Sequence, residues 1–409
     1  MNNIFYTELN KILVTYNDLI IDINKQISYL FISRSSDYYL TFRNIIISLI
    51  NNTEIIIIDS DLSDIEIKSL NIQEDDINKK INCTFNKIKD EKDLLERIKN
   101  ANNWSLTIYT SGTTGVPKKV THTFLSLTKA VKVDNNKSDD IWGFAYNPTH
   151  IAGIQVFFQA LLNLNQIVRL FQISNNDIYS SINNYQITNI SATPTYYRLL
   201  VNKSEIFTSV KRLTFGGEVF DENLISPLQI MFPNAKILNI YASTEIGTLF
   251  ISHCDEFTVQ EELKNKIKII NGELYVLRNI LGKLEGNDNN DEWYKTNDKV
   301  EILSNEPLKI KFVGRINETI NVGGYKVFPV EIEKIINNIP GVRNCVVYGK
   351  KNSVMGNLIC CDIEKESEEL NEELIFNFLK SKLQPYKIPR IIKFVSTIKT
   401  TRTGKVTRL

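Results

Sequence analysis

Several residue types that build special sites are scarce in this sequence. Only 17 of the 409 residues are glycine, 5 are cysteine and 3 are histidine. No two cysteines have the C-x-x-C spacing of zinc or redox sites, and the histidines are scattered. The pattern therefore gives no strong metal site built from cysteine or histidine, and it favours reduced, buried thiols. Because glycine is rare, the positions where it clusters are the first candidates for a functional loop.

An excess of charge and a long apolar run are missing as well. Lys plus Arg number 48 and Asp plus Glu 47, which leaves a formal net charge of +1. An overall basic excess that would attract nucleic acid or an anionic membrane is therefore absent. The longest apolar runs, such as Ile55–Ile58, are far shorter than the ~20 residues of a membrane span. The N-terminus lacks the pattern of a signal peptide, so we expect a soluble, cytoplasmic protein.

The overall composition is that of a globular protein. Hydrophobic residues make up 43% of the chain and charged residues 23%, which argues against disorder. A chain of this length predicts about two to four domains, or one large domain with a small one attached. It is also long enough to bury a core without disulfides or metals.

Short strand candidates alternate with helical segments along the first part of the chain. The strand candidates include Glu54–Asp59, Ser105–Tyr109, Ile141–Tyr146, Asn189–Ala192, Arg212–Phe215 and Lys236–Asn239. This alternation predicts an α/β fold of parallel-rich sheets with flanking helices. Lys268–Asn279 and Trp293–Lys311 have a more β-like pattern and predict an additional β-rich subdomain.

The pattern changes near residue 316. From there on, helix candidates at Val330–Asn338 and Asn371–Leu383 surround strand candidates at Asn344–Tyr348 and Leu358–Ile363. This order predicts a small, compact α+β unit. We therefore predict a large N-terminal domain at 1–316 and a small, mobile C-terminal lid domain at 317–409.

The most informative glycines lie in Tyr109–Lys119 (YTSGTTGVPKK), directly after a strand candidate. Glycines let backbone N–H groups approach an anion, the Ser and Thr hydroxyls add donors, and Lys118 adds a positive charge. This combination suits phosphate. The spacing of a Walker A motif is absent, so the segment is not the phosphate loop of that class of nucleotide hydrolases.

This segment closely resembles the phosphate loop of the adenylate-forming superfamily, which includes acyl- and aryl-CoA ligases, adenylation domains and luciferases. Further segments resemble the motifs of this superfamily in the same order along the chain: Val14–Leu19, Asn147–Gly153, Phe215–Glu218, Asn239–Gly247, Trp293–Asp298, Gly314–Glu333 and Thr403–Lys405. The resemblance covers nearly the whole chain. Members of the superfamily are usually longer, so we expect the N-terminal region to be shortened here.

The resemblance implies a reaction in two steps. A carboxylate attacks the α-phosphorus of MgATP and expels pyrophosphate, and a thiol or amine then displaces AMP from the acyl-adenylate. The implied ligands are ATP, Mg²⁺ and a small carboxylic acid, with CoA or a carrier protein as acceptor and with no nucleic acid or membrane partner. Both steps change charge beside phosphate, so positioning and electrostatic stabilisation are expected to carry the catalysis.

The matched motifs imply a set of nucleotide-binding residues. Those of the phosphate loop, expected to hold the β- and γ-phosphates, are Thr110, Ser111, Gly112, Thr113, Thr114, Gly115 and Lys118. Those of the later motifs are Gly216, Gly217, Glu218, Asn239, Tyr241, Ala242, Ser243, Asp298 and Arg315. Tyr241 is expected to stack on adenine, and Asp298 is expected to bind the ribose hydroxyls.

Three residues carry the chemistry that the resemblance implies. Thr244 is expected to donate to the α-phosphate, and Glu245 is expected to ligate Mg²⁺, a cation that prefers oxygen. Lys405 is the expected catalytic lysine, whose ammonium bridges the acid carboxylate and the α-phosphate in the transition state. Without the TGK context, a lysine this close to the end of the chain would be interpreted as part of a frayed tail.

The implied hinge and thiol tunnel lie at the start of the C-terminal domain. Asn317 occupies the hinge position, where relatives usually have Asp or Lys, and Gly323 and Gly324 are expected to line the tunnel after rotation of the lid. The chain also departs from the usual motifs at Lys119 and Asn297, where glycine is common. Asparagine tolerates left-handed backbone angles, so the turn at Asn297 can survive.

The acid pocket is expected to be lined mainly by apolar or small residues. Its predicted members are His150, Gly153, Ile154, Phe157, Thr193, Tyr197, Gly216 and Gly247. His150 matches a residue that separates the acid pocket from the thiol tunnel in CoA ligases, and a packed structural role is the alternative. No aspartate occurs from Ile141 until Asp177, so an aryl, acyl or hydroxy acid is favoured over an α-amino acid.

Three hypotheses for the function follow. The leading one is an acid–thiol ligase of the AMP-forming acyl-CoA synthetase type. The second is a stand-alone adenylating enzyme that loads a carrier-protein pantetheine or an amine, in natural-product or surface-polysaccharide synthesis. The third is a non-catalytic nucleotide-binding relative, motivated by the departures from the motifs. The identity of the acid and the oligomeric state do not follow from the sequence.

Overall fold

The computed structural model describes residues 3–9, 12–110, 118–202, 204–284, 291–322, 324–352, 356–400 and 405–406. The α-helices in these ranges are α1 (Tyr16–Lys25), α2 (Tyr38–Ile50), α3 (Asp64–Ser69), α4 (Glu91–Lys99), α5 (Phe124–Thr128), α6 (Ile151–Leu161), α7 (Asn175–Tyr185), α8 (Pro194–Leu200), α9 (Ile225–Met231), α10 (Glu261–Lys264), α11 (Pro329–Ile336) and α12 (Glu372–Lys380). The strands are β1 (Ile4–Thr7), β2 (Leu13–Thr15), β3 (Ser28–Leu30), β4 (Ile32–Arg34), β5 (Ile55–Ile58), β6 (Lys80–Asn82), β7 (Ser105–Thr110), β8 (Lys118–Thr123), β9 (Ile141–Phe144), β10 (Gln166–Arg169), β11 (Asn189–Ala192), β12 (Arg212–Gly216), β13 (Lys236–Ser243), β14 (Gly247–Ser252), β15 (Glu256–Thr258), β16 (Ile267–Ile270), β17 (Glu273–Leu277), β18 (Lys283–Leu284), β19 (Trp293–Asn305), β20 (Leu308–Arg315), β21 (Ile320–Val322), β22 (Tyr325–Val327), β23 (Val342–Asn352), β24 (Gly356–Lys365) and β25 (Ile391–Val395).

The largest sheet of the described chain has eight strands in the order β14-β13-β12-β11-β9-β10-β1-β2. The inner strands from β13 to β1 run parallel to one another, whereas β14 and β2 pair antiparallel at the two edges. All four residues of β11 are buried, as expected for a parallel strand with both of its faces covered. The carboxyl ends of β11, β12 and β13 therefore lie side by side at one edge.

Two apolar cores cover the opposite faces of this sheet. One fills the space between it and a second sheet of order β18-β8-β7-β5-β4. At its centre, Phe42 of α2 stacks on Phe157 of α6 with ring centroids 4.7 Å apart and an interplanar angle of 7°. The other core packs α7, α8 and α9 on the sheet and includes Leu213 and Phe215 of β12. Successive side chains of a strand point to opposite faces of the sheet. A strand that is covered on both faces, such as β11, therefore buries every residue.

An antiparallel sheet of order β15-β20-β19-β17-β16 follows the large sheet in the chain. It has its own apolar core, in which Leu274, Val276 and Ile310 are fully buried. This sheet is the β-rich subdomain that the sequence predicted.

The strands β21 to β25 and the helices α11 and α12 share a separate core. The sheet order is β22-β21-β24-β23, with β25 pairing parallel to β24, and α11 and α12 pack against it. Val327, Ile336 and Val347 are completely buried there. The predicted fold class, α/β with parallel-rich sheets, a β-rich subdomain and a small α+β unit, is confirmed, while the boundary at residue 316 stays a prediction. Nowhere in the described ranges does a helix combine the length and the apolar character needed to cross a membrane.

Candidate active site

A cavity of about 610 Å³ opens at the carboxyl ends of β11, β12 and β13. This edge of a parallel sheet is where open α/β folds bind their ligands. The predicted site residues that line it are Lys118, His150, Thr193, Gly216, Gly217, Glu218, Asn239, Tyr241, Ala242, Ser243, Thr244, Glu245, Asp298, Arg315, Asn317 and Lys405. Segments far apart in sequence thus converge on one space.

The predicted phosphate loop is described only in part. Ser111, Gly112, Thr113, Thr114 and Gly115 lie outside the described residues, as do Gly323 and the side chain of Thr110. The two strands that flank the loop, β7 and β8, pair antiparallel. Their hairpin brings Lys118, the first residue of β8, to the wall of the cavity.

Asp298 is the centre of a buried polar group. The Tyr241 hydroxyl donates to Asp298 Oδ2 over 2.6 Å, and Arg315 Nε lies 3.1 Å from Asp298 Oδ1. Burial raises the pKa of the Asp298 carboxyl, although Arg315 and the Tyr241 hydrogen bond act against this rise. The Tyr241 ring also stacks on Phe312, with centroids 4.0 Å apart. The arrangement offers a fixed carboxylate and an oriented aromatic ring at one end of the cavity.

The residue before this aspartate adopts the backbone conformation that the sequence suggested. Asn297 has a φ of 61°, in the left-handed region. Asparagine is one of the few side chains that adopt this region readily. The turn is therefore kept although glycine is replaced.

Thr244 and Glu245 lie on the loop between β13 and β14, and both line the cavity. Burial and the neighbouring Glu245 carboxylate raise the pKa of the Tyr294 hydroxyl. The part of the chain that the structure describes has no group of three His, Cys, Asp or Glu side chains able to hold a metal alone. Glu245 is the cavity carboxylate that the matched motif assigns to Mg²⁺, an ion that proteins usually bind with one or two carboxylates together with phosphate and water.

Lys405 reaches the cavity from the C-terminal segment. Its side chain packs on Gly217, where an added Cβ would lie 3.3 Å from Cε and 3.9 Å from Nζ of the lysine. Burial lowers the pKa of the Lys405 ammonium, and Arg315 acts in the same direction. Gly217 has a φ of 84°, which favours glycine, so both the turn and the lysine contact depend on this residue.

His150 lies at the N-cap position of α6 and lines the cavity. Its Nε2 is 3.3 Å from Asp59 Oδ2, in an orientation that does not form a directed hydrogen bond. Asn147 Nδ2 donates to the same oxygen over 3.2 Å. Asp59, which follows β5 of the second sheet, was not indicated by any motif.

Five residues predicted for the acid pocket do not line this cavity: Gly153, Ile154, Phe157, Tyr197 and Gly247. Phe157 is fully buried against Phe42, and the Tyr197 hydroxyl lies 2.8 Å from the carbonyl oxygen of Ile190 in the core. On α6 the cavity is lined instead by Ile151, Ala152, Gln155, Val156 and Gln159. These positions repeat at helical spacing, so the face of α6 toward the cavity is offset from the predicted one.

The hinge region is partly described. Asn317 lines the cavity. Gly324 has a φ of 89°, and a Cβ added there would meet no atom within 4 Å. The space around Gly324 is therefore open in this arrangement of the chain.

Comparison of the sequence with known protein families finds two matching family models. Residues 39–279 match the family model of the AMP-binding enzymes, and residues 331–405 match the model of the AMP-binding enzyme C-terminal domain. The chain belongs to the AMP-binding enzyme family. The resemblance to the adenylate-forming superfamily, drawn from the motifs, is confirmed.

Curated relatives of this AMP-binding chain include CoA ligases. It is 26% identical over 342 residues to the mitochondrial medium-chain acyl-CoA ligase ACSF2 of Homo sapiens, which covers 73% of this chain and 55% of that protein. It is 23% identical over 327 residues to a 2-succinylbenzoate–CoA ligase of Staphylococcus epidermidis, with coverages of 74% and 68%. The chain thus spans about 55 to 68% of the length of these relatives.

Among solved structures, the AMP-binding chain is similar to o-succinylbenzoate CoA synthetase (MenE) from Bacillus subtilis in complex with the acyl-adenylate OSB-AMP. The TM-score is 0.71 at 18% sequence identity, and the match covers 100% of this chain and 94% of that chain. At this level of identity the similarity establishes the fold.

Proposed function

We propose that this chain activates a carboxylic acid with ATP and then transfers the acyl group to a thiol, with CoA as the acceptor. The observation that carries the proposal is the position of Lys405, which packs on Gly217 in the same cavity as Thr244, Glu245 and Asp298. A cation from one end of the chain and carboxylates from the middle of it converge there. This cluster of charged and polar groups suits a reaction in which negative charge is redistributed around the α-phosphate.

In the first step, a carboxylate oxygen of the acid bonds to the α-phosphorus of ATP, and the bond from that phosphorus to the departing pyrophosphate breaks. In this proposal the Lys405 ammonium neutralises charge on the carboxylate and the α-phosphate, and Thr244 donates to the α-phosphate. Glu245 would hold Mg²⁺, and the ion would supply further positive charge at the phosphates. The phosphate loop, with Lys118 at its end, holds the remaining phosphates.

The nucleoside is assigned to the polar group around Asp298. Its buried carboxylate can accept hydrogen bonds from two ribose hydroxyls, and Arg315 keeps it oriented at 3.1 Å. Tyr241, already oriented by Phe312, offers a ring for adenine stacking. Gly216, together with Asn239, Ala242 and Ser243, forms the adjoining wall.

In the second step, a thiolate sulfur bonds to the acyl carbon and AMP leaves with the electron pair of the broken bond. We assign the hinge to Asn317 and the thiol tunnel to Gly323 and Gly324, with residues 317–409 rotating between the steps. His150 is proposed to separate the acid from the thiol. All five cysteines are free thiols, which fits the reducing cytoplasm that we propose as the site of action.

The wall of α6 supports an acyl or aryl acid. Ile151, Ala152 and Val156 are apolar, and Gln155 and Gln159 carry neutral amides. This face offers no carboxylate to pair with an ammonium group, so an α-amino acid gains nothing from it.

Acid-dependent exchange of pyrophosphate into ATP tests the first step across a panel of acyl, aryl and hydroxy acids. The Lys405→Ala variant should lose most of the exchange, whereas Lys399→Ala, an exposed lysine of the same C-terminal segment, should keep it. AMP release that depends on added CoA then tests the acceptor. Absence of exchange with every acid would refute the proposal, and exchange unaffected by Lys405→Ala would refute the role of the lysine.

A second acceptor is favoured by one further relative. The chain is 24% identical over 373 residues to surfactin synthase subunit 2 of Bacillus subtilis, covering 78% of this chain and 10% of that protein. We therefore keep a carrier-protein pantetheine as the alternative acceptor. Discharge of a preformed adenylate by a carrier protein but not by CoA would select this alternative.

A further inference from the structure

The loop that carries Thr244 and Glu245 has an unusual set of backbone partners. Ser243 at the end of β13 pairs with Gly247 at the start of β14. Thr244, Glu245 and Ile246 therefore form a short hairpin loop with a turn at each residue. Buried carbonyl groups of a loop need hydrogen-bond partners, which other segments or water can supply.

All three loop carbonyls accept a hydrogen bond from another segment. The Thr244 oxygen is 2.7 Å from His122 Nε2, the Glu245 oxygen accepts the Gly282 N–H over 2.8 Å, and the Ile246 oxygen accepts from Lys129 Nζ over 2.8 Å. We call these the three loop contacts. The three donors lie on β8 (His122), directly before β18 (Gly282) and directly after α5 (Lys129).

His122 is suited to act as a neutral hydrogen-bond donor to the Thr244 carbonyl. It is 1% exposed, and burial lowers the pKa of its imidazole. A carbonyl oxygen only accepts, so Nε2 must carry the hydrogen, and the other ring nitrogen lies 3.3 Å from Ser126 Oγ. The ring is therefore a neutral donor whose orientation is set from both sides.

Gly282 supports the same arrangement. A Cβ at this position would lie 2.7 Å from Cε1 and 2.9 Å from Nδ1 of His122. Any other residue would therefore have to move the ring or its own backbone, and each movement breaks a loop contact. The pairing of β18 with β8, in which Lys283 lies opposite Thr121, brings Gly282 to this place.

We propose that His122 and Gly282 are positioning residues for the nucleotide reaction. They fix the carbonyls of Thr244 and Glu245 and so aim these two side chains into the cavity. The contact from Lys129 is weaker in effect because it comes from the end of a long, flexible side chain. The inference rests on the proposed function for the roles of Thr244 and Glu245, but the loop contacts themselves do not depend on it. Displacing these two side chains should weaken their contacts with MgATP and so raise its KM.

A matched pair of substitutions tests this inference. In His122→Gln the amide nitrogen can take the place of Nε2 and keep the donor, whereas in His122→Asn it takes the place of Nδ1 and the loop contact is lost. We expect His122→Asn to raise the KM for MgATP by about tenfold or more, the effect of removing one hydrogen bond from a buried group. His122→Gln should restore most of the loss, and Gly282→Ala should resemble His122→Asn.

His253→Asn is the control. This histidine also contacts a backbone carbonyl, that of Ile237, at 2.9 Å, but it lies at the exposed end of the same hairpin. Its KM for MgATP should equal that of the wild type. Thermal unfolding of each variant separates loss of folded protein from loss of positioning.

Equal KM values for the Asn and Gln variants, or a lower unfolding midpoint with an unchanged KM, would reduce His122 to a packing residue and overturn the inference. If the wild type shows no exchange with any acid, the proposed function fails instead. Binding of the fluorescent nucleotide mant-ATP with Mg²⁺ to the same variants then decides the inference. The order wild type, Gln, Asn in affinity supports it, and equal affinities reject it.

Discussion

The backbone N–H of Val406 donates to Glu218 Oε1 over 3.3 Å. The same carboxylate accepts the N–H and the hydroxyl of Thr195, at 2.9 and 3.0 Å. Glu218 therefore links the first turn of α8 to the C-terminal segment. Because Val406 directly follows Lys405, this link helps to hold the lysine over Gly217.

Removal of this carboxylate should release the lysine. In Glu218→Ala we expect the rate of acid-dependent pyrophosphate exchange to fall by about tenfold or more, since hydrogen bonds to a charged group each contribute roughly 1.5–3 kcal/mol. Hydrogen exchange at residues 405–406, followed by mass spectrometry, should increase at the same time. Thr195→Val removes a hydroxyl from the same carboxylate but keeps the Val406 contact, so its rate should stay closer to wild type. Equal rates in these two variants would contradict the link.

Much of the sheet could be predicted from local patterns. The strand at Asn189–Ala192 has the predicted bounds and Arg212–Gly216 differs by one residue, because short apolar runs are typical of buried parallel strands. The strand predicted at Lys236–Asn239 continues to Ser243. The four added residues, 240–243, belong to the segment Asn239–Gly247 that resembles a motif, and all four line the cavity. A strand can therefore continue into the site that its carboxyl end helps to form.

The site was predictable where a motif keeps its residues together, as for Thr244 and Glu245. It was not predictable where the contact joins distant segments: His122 lies 122 positions before Thr244, and no local pattern links the two. Phe157 is the converse case, because a matched motif lies close by and the side chain still does not line the cavity. It follows a matched motif, but the period of α6 turns it into the core, and only the packing against Phe42 decides this.

The carboxylate at position 298 should govern ATP affinity. Asp298→Asn keeps the size of the side chain but removes its charge, which weakens hydrogen bonds from hydroxyl donors. We expect the KM for ATP to rise by about tenfold or more and the KM for the acid to stay unchanged. Tyr241→Phe, which removes only the 2.6 Å hydrogen bond to this carboxylate, should have a smaller effect. An unchanged KM for ATP in Asp298→Asn would argue against ribose binding here.

The pH dependence of activation should report the state of Lys405. Its pKa is lowered from the ordinary 10.5, first by burial and then by Arg315, while Glu218, Glu318 and Asp298 oppose the shift. The ammonium is the charged form below the pKa, so kcat/KM should fall as the pH rises through a value below 10.5. Bound phosphates favour the ammonium, so kcat should fall at a higher pH than kcat/KM.

Lys405→Arg is the control for this profile. Arginine stays charged throughout the accessible range, so the variant should lose the alkaline decrease even if its different geometry lowers the rate. An alkaline decrease at the same pH in this variant would assign the titration to another group. The measurement is pyrophosphate exchange at ATP concentrations below and above KM.

Two substitutions on α6 should separate packing from acid recognition. Phe157 is fully buried and stacked on Phe42, so Phe157→Ala should lower the free energy of unfolding by about 3–5 kcal/mol. Since its side chain does not line the cavity, the KM for the acid should change little in protein that remains folded. Gln155, two residues earlier, lines the cavity and accepts from Thr248 Oγ1 over 3.3 Å. Gln155→Ala should therefore alter the KM for the acid with little loss of stability.

The comparison combines chemical denaturation with acid-dependent exchange on both variants. A large change of acid KM in Phe157→Ala, with a small loss of stability, would return this ring to the acid pocket as the sequence predicted. A large loss of stability with an unchanged acid KM in Phe157→Ala, together with a changed acid KM in Gln155→Ala, assigns acid recognition to another face of α6. That face carries Ile151, Gln155 and Gln159. Because the two residues share one helix, a general loosening of α6 would change both readouts in both variants, which distinguishes it from either assignment.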